Sequence, residues 1–212
     1  MKNLKSKIKY CSNTVRAVSA FGDSAKSVQQ TPASYKQTSA LYKVGDYYNE
    51  NGKEGVVFEV DATGRHGKIV ALTESPKDLR WCTKAEYVSR AKKGNTSTSE
   101  TNGAYNMTEI KKIKGWQKKY PAFAYCAKLG EGWYLPAKDE WKALIQDGTV
   151  YDAVNKTLQS KNKLMLGKVD YYYWASTQYK KFPDYSSSID SEGNLYGNAK
   201  YVPLRVRAVS AF

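Results

Sequence analysis

Apolar and polar positions alternate with a strand period at both ends of residues 41–212 and with a helical period between them. Residues 41–48 open the first alternating run. Asn49-Glu50-Asn51-Gly52 follows as a turn, with Asn-Gly the strong hairpin signal, because both residues tolerate positive φ. Residues 55–60 and 68–72 continue the pattern on either side of a polar turn at 61–67, so three strands with short connections form a meander. Residues 92–104 are polar and read as a loop. Beyond them Met107, Ile110 and Ile113 share a helix face, with Asn106 placed to cap it. Pro121 starts a second helix carrying Phe123, Cys126 and Ala127, which Gly130 ends. Pro136 precedes a third with Trp141, Leu144 and Ile145 inward, and residues 150–158 add a fourth. Alternation returns at 171–176, 185–190, 194–199 and 204–212, with Ser191-Glu192-Gly193 turning between two of these runs. Strands, then helices, then strands predict an α+β fold with segregated elements.

A repeat changes how the ends are read. Residues 16–21 are Arg-Ala-Val-Ser-Ala-Phe, and so are residues 207–212; Val15, Tyr10 and Lys9 extend the match to Val206, Tyr201 and Lys200. Residues 1–21 are therefore a duplicated terminal-strand segment or the remnant of an upstream domain, residues 22–40, rich in Ser, Gln, Thr and Ala, are a linker, and residues 41–212 are the main domain.

Charge and cysteine content narrow the function classes. The formal net charge is +14, with five cations and no acid in residues 1–21 and a second basic run from Lys111 to Lys119. No nucleic-acid motif accompanies these runs, so they read as a basic tail and a solvated helix face, and no nucleic-acid partner is expected. Cys11, Cys82 and Cys126 are an odd set without metal-ligand spacing, and His66 is a lone histidine in a turn; neither points to a metal or cofactor. Cys82 and Cys126 read as small buried hydrophobes. No signal peptide is visible in this chain and no run approaches a membrane span. The 18 tyrosines fill strand faces or supply stiff amphipathic contact area.

Three motifs carry a resemblance. Gly132-Trp133-Tyr134-Leu135-Pro136 leads into a helix, Tyr173-Trp174-Ala175-Ser176-Thr177 forms a strand, and Val206-Arg207-Ala208-Val209 closes the chain. Together they resemble the bacterial C-type-lectin-like domain, related to the variable proteins of diversity-generating retroelements and to the formylglycine-generating enzyme superfamily, found in bacterial surface proteins and phage. The resemblance covers about residues 41–212. It implies antiparallel sheets with two to four helices and adjacent N- and C-terminal strands. It assigns Trp133, Pro136, Trp174 and Arg207 to structure. Arg207 is expected in a partly buried salt bridge to Asp139 or Glu140.

The resemblance also implies recognition without catalysis. It makes residues 178–200 the ligand-contacting surface, with Tyr179, Lys180, Asp184, Tyr185, Ser187, Asp190, Asn194, Tyr196 and Asn198 as outward candidates. This Tyr, Asn, Ser and Asp mix suits adaptable binding, and a polar hairpin is the plain alternative. The expected partner is a protein or glycan at a cell surface, and the expected setting is the bacterial surface, secreted material or a virion. The calcium-lectin ligand sets are missing, and no cysteine follows Cys126. Calcium-dependent sugar binding and oxidase chemistry are therefore not expected. A relative of the formylglycine-generating enzymes and a structural module of a tandem array stay open as alternatives.

Overall fold

The computed structural model describes residues 41–93, 98–167, 171–179 and 182–212. The repeat copy at 9–21 and the linker lie outside them. Strands β1 (Tyr47–Glu50) and β2 (Lys53–Val60) form the predicted hairpin, with Asn51 and Gly52 both at positive φ. Strand β3 (Gly67–Glu74) pairs with β2. A short strand β4 (Leu79–Arg80) precedes helices α1 (Lys84–Lys93), α2 (Gly103–Lys111), α3 (Trp116–Lys119) and α4 (Pro121–Lys128). Strand β5 (Trp133–Tyr134) leads into α5 (Lys138–Ile145) and α6 (Gly148–Ser160). Strands β6 (Tyr172–Gln178), β7 (Tyr185–Asp190) and β8 (Leu195–Ala199) make a second meander, followed by β9 (Pro203–Leu204) and β10 (Arg207–Ala211). The described chain is thus α+β with antiparallel strand ladders and six helices, against the two to four expected.

The main sheet runs β1-β2-β3-β10-β5, and smaller sheets are β4-β9 and β6-β7-β8. The expected pairing of first and last strands is not observed. The Asn51-Gly52 turn commits β1 to β2, so β3 supplies the open edge that receives β10. The two ends still meet through side chains: Phe212 packs its ring against Tyr42 and Tyr48, at centroid distances of 5.2 and 4.7 Å. The helix after the polar loop is capped by Asn102, whose side chain accepts from Tyr105 N. Asn106, expected as the cap, is instead fully buried in α2, where its amide bonds Ser99 and Ser176.

The three sequence motifs converge on one junction. Trp133 and Tyr134 pair with Ser210 and Val209 of β10. Two residues later Pro136 O accepts from Ser176 N of β6, and Lys138 N donates to Thr177 Oγ1. Three buried tryptophans then hold β6 in place. Trp141 Nε1 donates to Trp174 O, Trp81 Nε1 to Ala175 O, and Trp174 Nε1 to Leu79 O. A buried indole needs its N–H satisfied, so each ring contributes core area and fixes backbone register together. Trp133 and Trp174 are both buried, as are Cys82 and Cys126.

Arg207 is fully buried, but it meets neither Asp139 nor Glu140. Asp139 pairs with Lys142, and Glu140 with Lys68 at 3.3 Å. The register of β10 sets Arg207 opposite Glu74 of β3, and its guanidinium donates to the carbonyls of Ala71, Leu72 and Leu164.

Candidate recognition surface

The sheet β6-β7-β8 carries most of the predicted contact residues, and strand parity divides them. Cα partners across an antiparallel ladder point to the same side. The register Tyr172↔Asp190, Ser188↔Tyr196 and Ser186↔Asn198 puts Asp190, Tyr196 and Asn198 on one face with Tyr172. The register Tyr185↔Ala199 and Ser187↔Gly197 puts Tyr185 and Ser187 on the other. The expected single outward surface is therefore two.

On the first face Asp190 organises the β7–β8 turn. Its carboxylate accepts from Glu192 N, Asn194 N, Asn194 Nδ2 and the Tyr196 hydroxyl, all at 2.8–3.0 Å. Tyr196, 39% exposed, meets Tyr172 edge-on at 5.1 Å. Asn198 is half-buried and donates to Ser188 Oγ, so its amide is spent on the sheet. Partial burial works to raise the Asp190 pKa, but the bonds from Asn194, Tyr196 and Glu192 outweigh it and hold the carboxyl below its ordinary value. A depressed carboxyl contributes stability above its unfolded pKa of about 3.9 and loses it as pH falls through the folded value. The amide signals of Glu192 and Asn194 are accordingly expected to be unchanged from pH 8 to 5 and to shift together below about pH 4, as followed by NMR. Independent titration of the two amides would contradict this.

The second face borders a groove of about 340 Å³. Its described lining comprises Thr177, Gln178, Tyr179, Phe182, Ser187 and Leu195, with Glu100 and Lys138 paired at 2.9 Å at its border. Tyr179 is half-buried, and its ring occupies the space above Gly197; a Cβ there would lie 2.9 Å from the ring. Phe182 is 56% exposed, and its ring lies 5.9 Å from that of Tyr185, itself 36% exposed. Ser187, expected to point outward, is buried, because β7 is the central strand and α5 and β8 flank it. Lys180 lies outside the described residues.

Behind Tyr185 the chain is braced. Asp184 is half-buried and accepts from Tyr87 Oη at 2.9 Å, which pushes the Tyr87 phenol up to about 12. Tyr87 in turn packs edge-on against Tyr201. Lys200 is buried, donates to Gln178 Oε1 and Pro183 O, and sits 4.6 Å over the Trp81 ring. These contacts hold Gln178, Pro183 and Asp184. Phe182, Tyr87, Tyr172 and Tyr201 were not among the predicted contact residues. Tyr87 and Tyr201 lie far from Tyr185 in sequence, so only the tertiary fold brings them together, whereas Phe182, flanked by Lys181 and Pro183, was open to selection as an exposed aromatic.

Among the described residues no three His, Cys, Asp or Glu side chains are grouped to hold a metal ion, and no helix is long and apolar enough to cross a membrane.

No protein-family model matches the chain, and no curated protein matches it in sequence. Among solved structures it is similar to a fimbrial protein from Bacteroides ovatus ATCC 8483, with a TM-score of 0.55 and 16% identity over 80% of this chain and 49% of that one. The chain thus spans about half the length of that structure. The likeness is one of fold: an α+β domain with antiparallel sheets.

Proposed function

We propose that this chain is a non-catalytic recognition domain of the C-type-lectin-like kind, acting at a bacterial surface, and that it binds a protein or glycan through the groove face of the β6-β7-β8 sheet. The observation that carries this reading is the exposed pair Phe182 and Tyr185 beside the groove, on either side of Pro183 and Asp184, which Lys200 and Tyr87 hold. Large aromatic side chains normally tend toward the interior. Here they are exposed, packed ring to ring and next to a concave surface with the Lys138–Glu100 charges at its border, which is the chemistry of a contact site. The fold likeness to a fimbrial protein supports the surface setting. Cys126 is fully buried, and burial pushes its thiol up, so it is poorly suited to thiolate chemistry of the kind the enzyme alternative requires.

The test is an array of surface glycans and proteins probed with the intact chain, followed by variants on each face. Tyr185→Ala and Phe182→Ala are expected to weaken binding by about 10- to 100-fold, the range of interface hot spots. Tyr196→Ala on the opposite face, and Tyr105→Ala on α2, are expected to leave it within about twofold. Loss confined to Tyr196→Ala would move the site to the other face, and binding untouched by all four would overturn contact recognition by this sheet.

A further inference from the structure

The closing strand occupies a slot with demanding geometry. Val209 is paired on both sides, with Val70 of β3 and Tyr134 of β5. Val206 exchanges hydrogen bonds with Ser75, Arg207 donates to three carbonyls, and Ser210 Oγ donates to Gly132 O. Phe212 exchanges two backbone bonds with Gly67, and a Cβ on Gly67 would lie 2.9 Å from its ring. Few sequences satisfy all of this at once.

Residues 9–21 carry the side chains it asks for. Aligned on residues 200–212, they differ at only four positions, where Cys11, Ser12, Asn13 and Thr14 stand for Val202, Pro203, Leu204 and Arg205. The differences follow burial. All six buried positions in 200–212, Lys200 and Val206 through Ser210, are matched, and all four mismatches fall where the resident strand is at least partly exposed. A segment kept to fit the same slot would vary in this way, freely where solvent reaches it and not where the slot touches it. The resident strand has contacts that the copy lacks: Arg205 reaches Asp78 at 3.0 Å, and Leu204 pairs with Leu79. Those contacts keep residues 206–212 in their own slot and leave the copy to spare.

We infer that residues 9–21 are a spare closing strand, complementary to the β3–β5 slot of a second copy of this domain whose own last strand is out. Such strand addition reads main-chain hydrogen bonds for affinity and buried side chains for specificity. The 19 residues of the linker reach at most about 65 Å when extended, enough to bridge two domains.

The test removes the resident strand. A chain of residues 22–205 has an open slot and no strand to fill it, and the intact 212-residue chain is the donor. Mixed with the donor, the shortened chain is expected to form a one-to-one complex by light scattering and to gain a cooperative thermal transition. Val18→Asp in the donor, at the position equivalent to Val209, is expected to abolish both and to leave the donor's own melting temperature unchanged. A second arm avoids the bimolecular step: a chain of residues 1–205 is expected to unfold cooperatively, and to lose that transition with Val18→Asp. Failure of both arms overturns the inference. So does rescue that Val18→Asp leaves intact, or a shift in the intact chain's melting temperature on that substitution.

Discussion

A chain carrying Arg207→Leu is expected to lose about 3–5 kcal/mol of stability, because three carbonyls lose a buried charged donor at about 1–3 kcal/mol each, less what apolar packing returns. The guanidinium is fully buried, and burial works to lower its pKa, while the negative charge of Glu74 works the other way. Leucine fills much of the volume but leaves the carbonyls of Ala71, Leu72 and Leu164 without their donor. It also leaves the Glu74 carboxylate, whose side chain is only 5% exposed, with Tyr173 Oη at 2.7 Å and Arg205 at 3.7 Å as its remaining polar support. At about 2–4 °C per kcal/mol for a domain of this size, the melting midpoint falls by roughly 6–20 °C. Arg207→Lys keeps a charge but not the planar fork that serves three acceptors, so an intermediate loss is expected. Thermal unfolding of the three proteins checks the order. Equal stability of the leucine variant and the native chain would mean that Arg207 is repaid fully by apolar packing.

The expectation for Arg207 shows where sequence reading reaches and where it stops. Its burial and its place on the closing strand were legible, because Val206-Arg207-Ala208-Val209 is a strand and the motif recurs. Its partner was not. Asp139 and Glu140 were the acids near a neighbouring motif in sequence, whereas the bonded partners are carbonyls, and the acid set opposite Arg207 is Glu74, placed there by the β3–β10 register, which joins residues more than 130 positions apart. The same division holds elsewhere. The Asn51-Gly52 hairpin and the helices bearing Trp141, Leu144 and Leu158 follow from local chemistry, and the structure has them. Helix α1 carries no clear apolar stripe and was not assigned. At the site, the resemblance marked Tyr185 and Tyr196 as outward, and both are exposed. It did not reveal that strand parity sends them to opposite faces, or that central placement buries Ser187.

Glu140→Ala is expected to cost about 3–5 kcal/mol as well, through a different failure. Glu140 is buried at the start of α5. Its Oε2 accepts from Gly103 N and Ala137 N at 3.1 and 2.8 Å, and its Oε1 accepts from Tyr134 Oη at 2.9 Å and faces Lys68 Nζ. The bond to Ala137 N is the return half of a capping box; alanine at the N-cap cannot supply the other half, so this one carboxylate caps the start of α5 and ties it to α2, β3 and β5. Gly103 fits because nothing larger would: a Cβ there would lie 2.7 Å from Glu140 Oε2. Burial works to lower the Lys68 pKa, but Glu140 and Glu59 outweigh it and hold the pKa above its ordinary value. Alanine leaves Lys68 with Glu59 alone, at 3.0 Å, and leaves two amides and a phenol without their acceptor. Glutamine can keep its oxygen toward the two amides and turn its NH₂ toward Tyr134, losing chiefly the attraction to Lys68, so a smaller cost of about 1–2 kcal/mol is expected. In a double-mutant cycle with Lys68→Met, the charge coupling is expected to vanish for Glu140→Gln while most of the Glu140→Ala loss persists. That pattern assigns the carboxylate's main work to the backbone amides; a loss recovered fully by Lys68→Met would assign it to the ion pair.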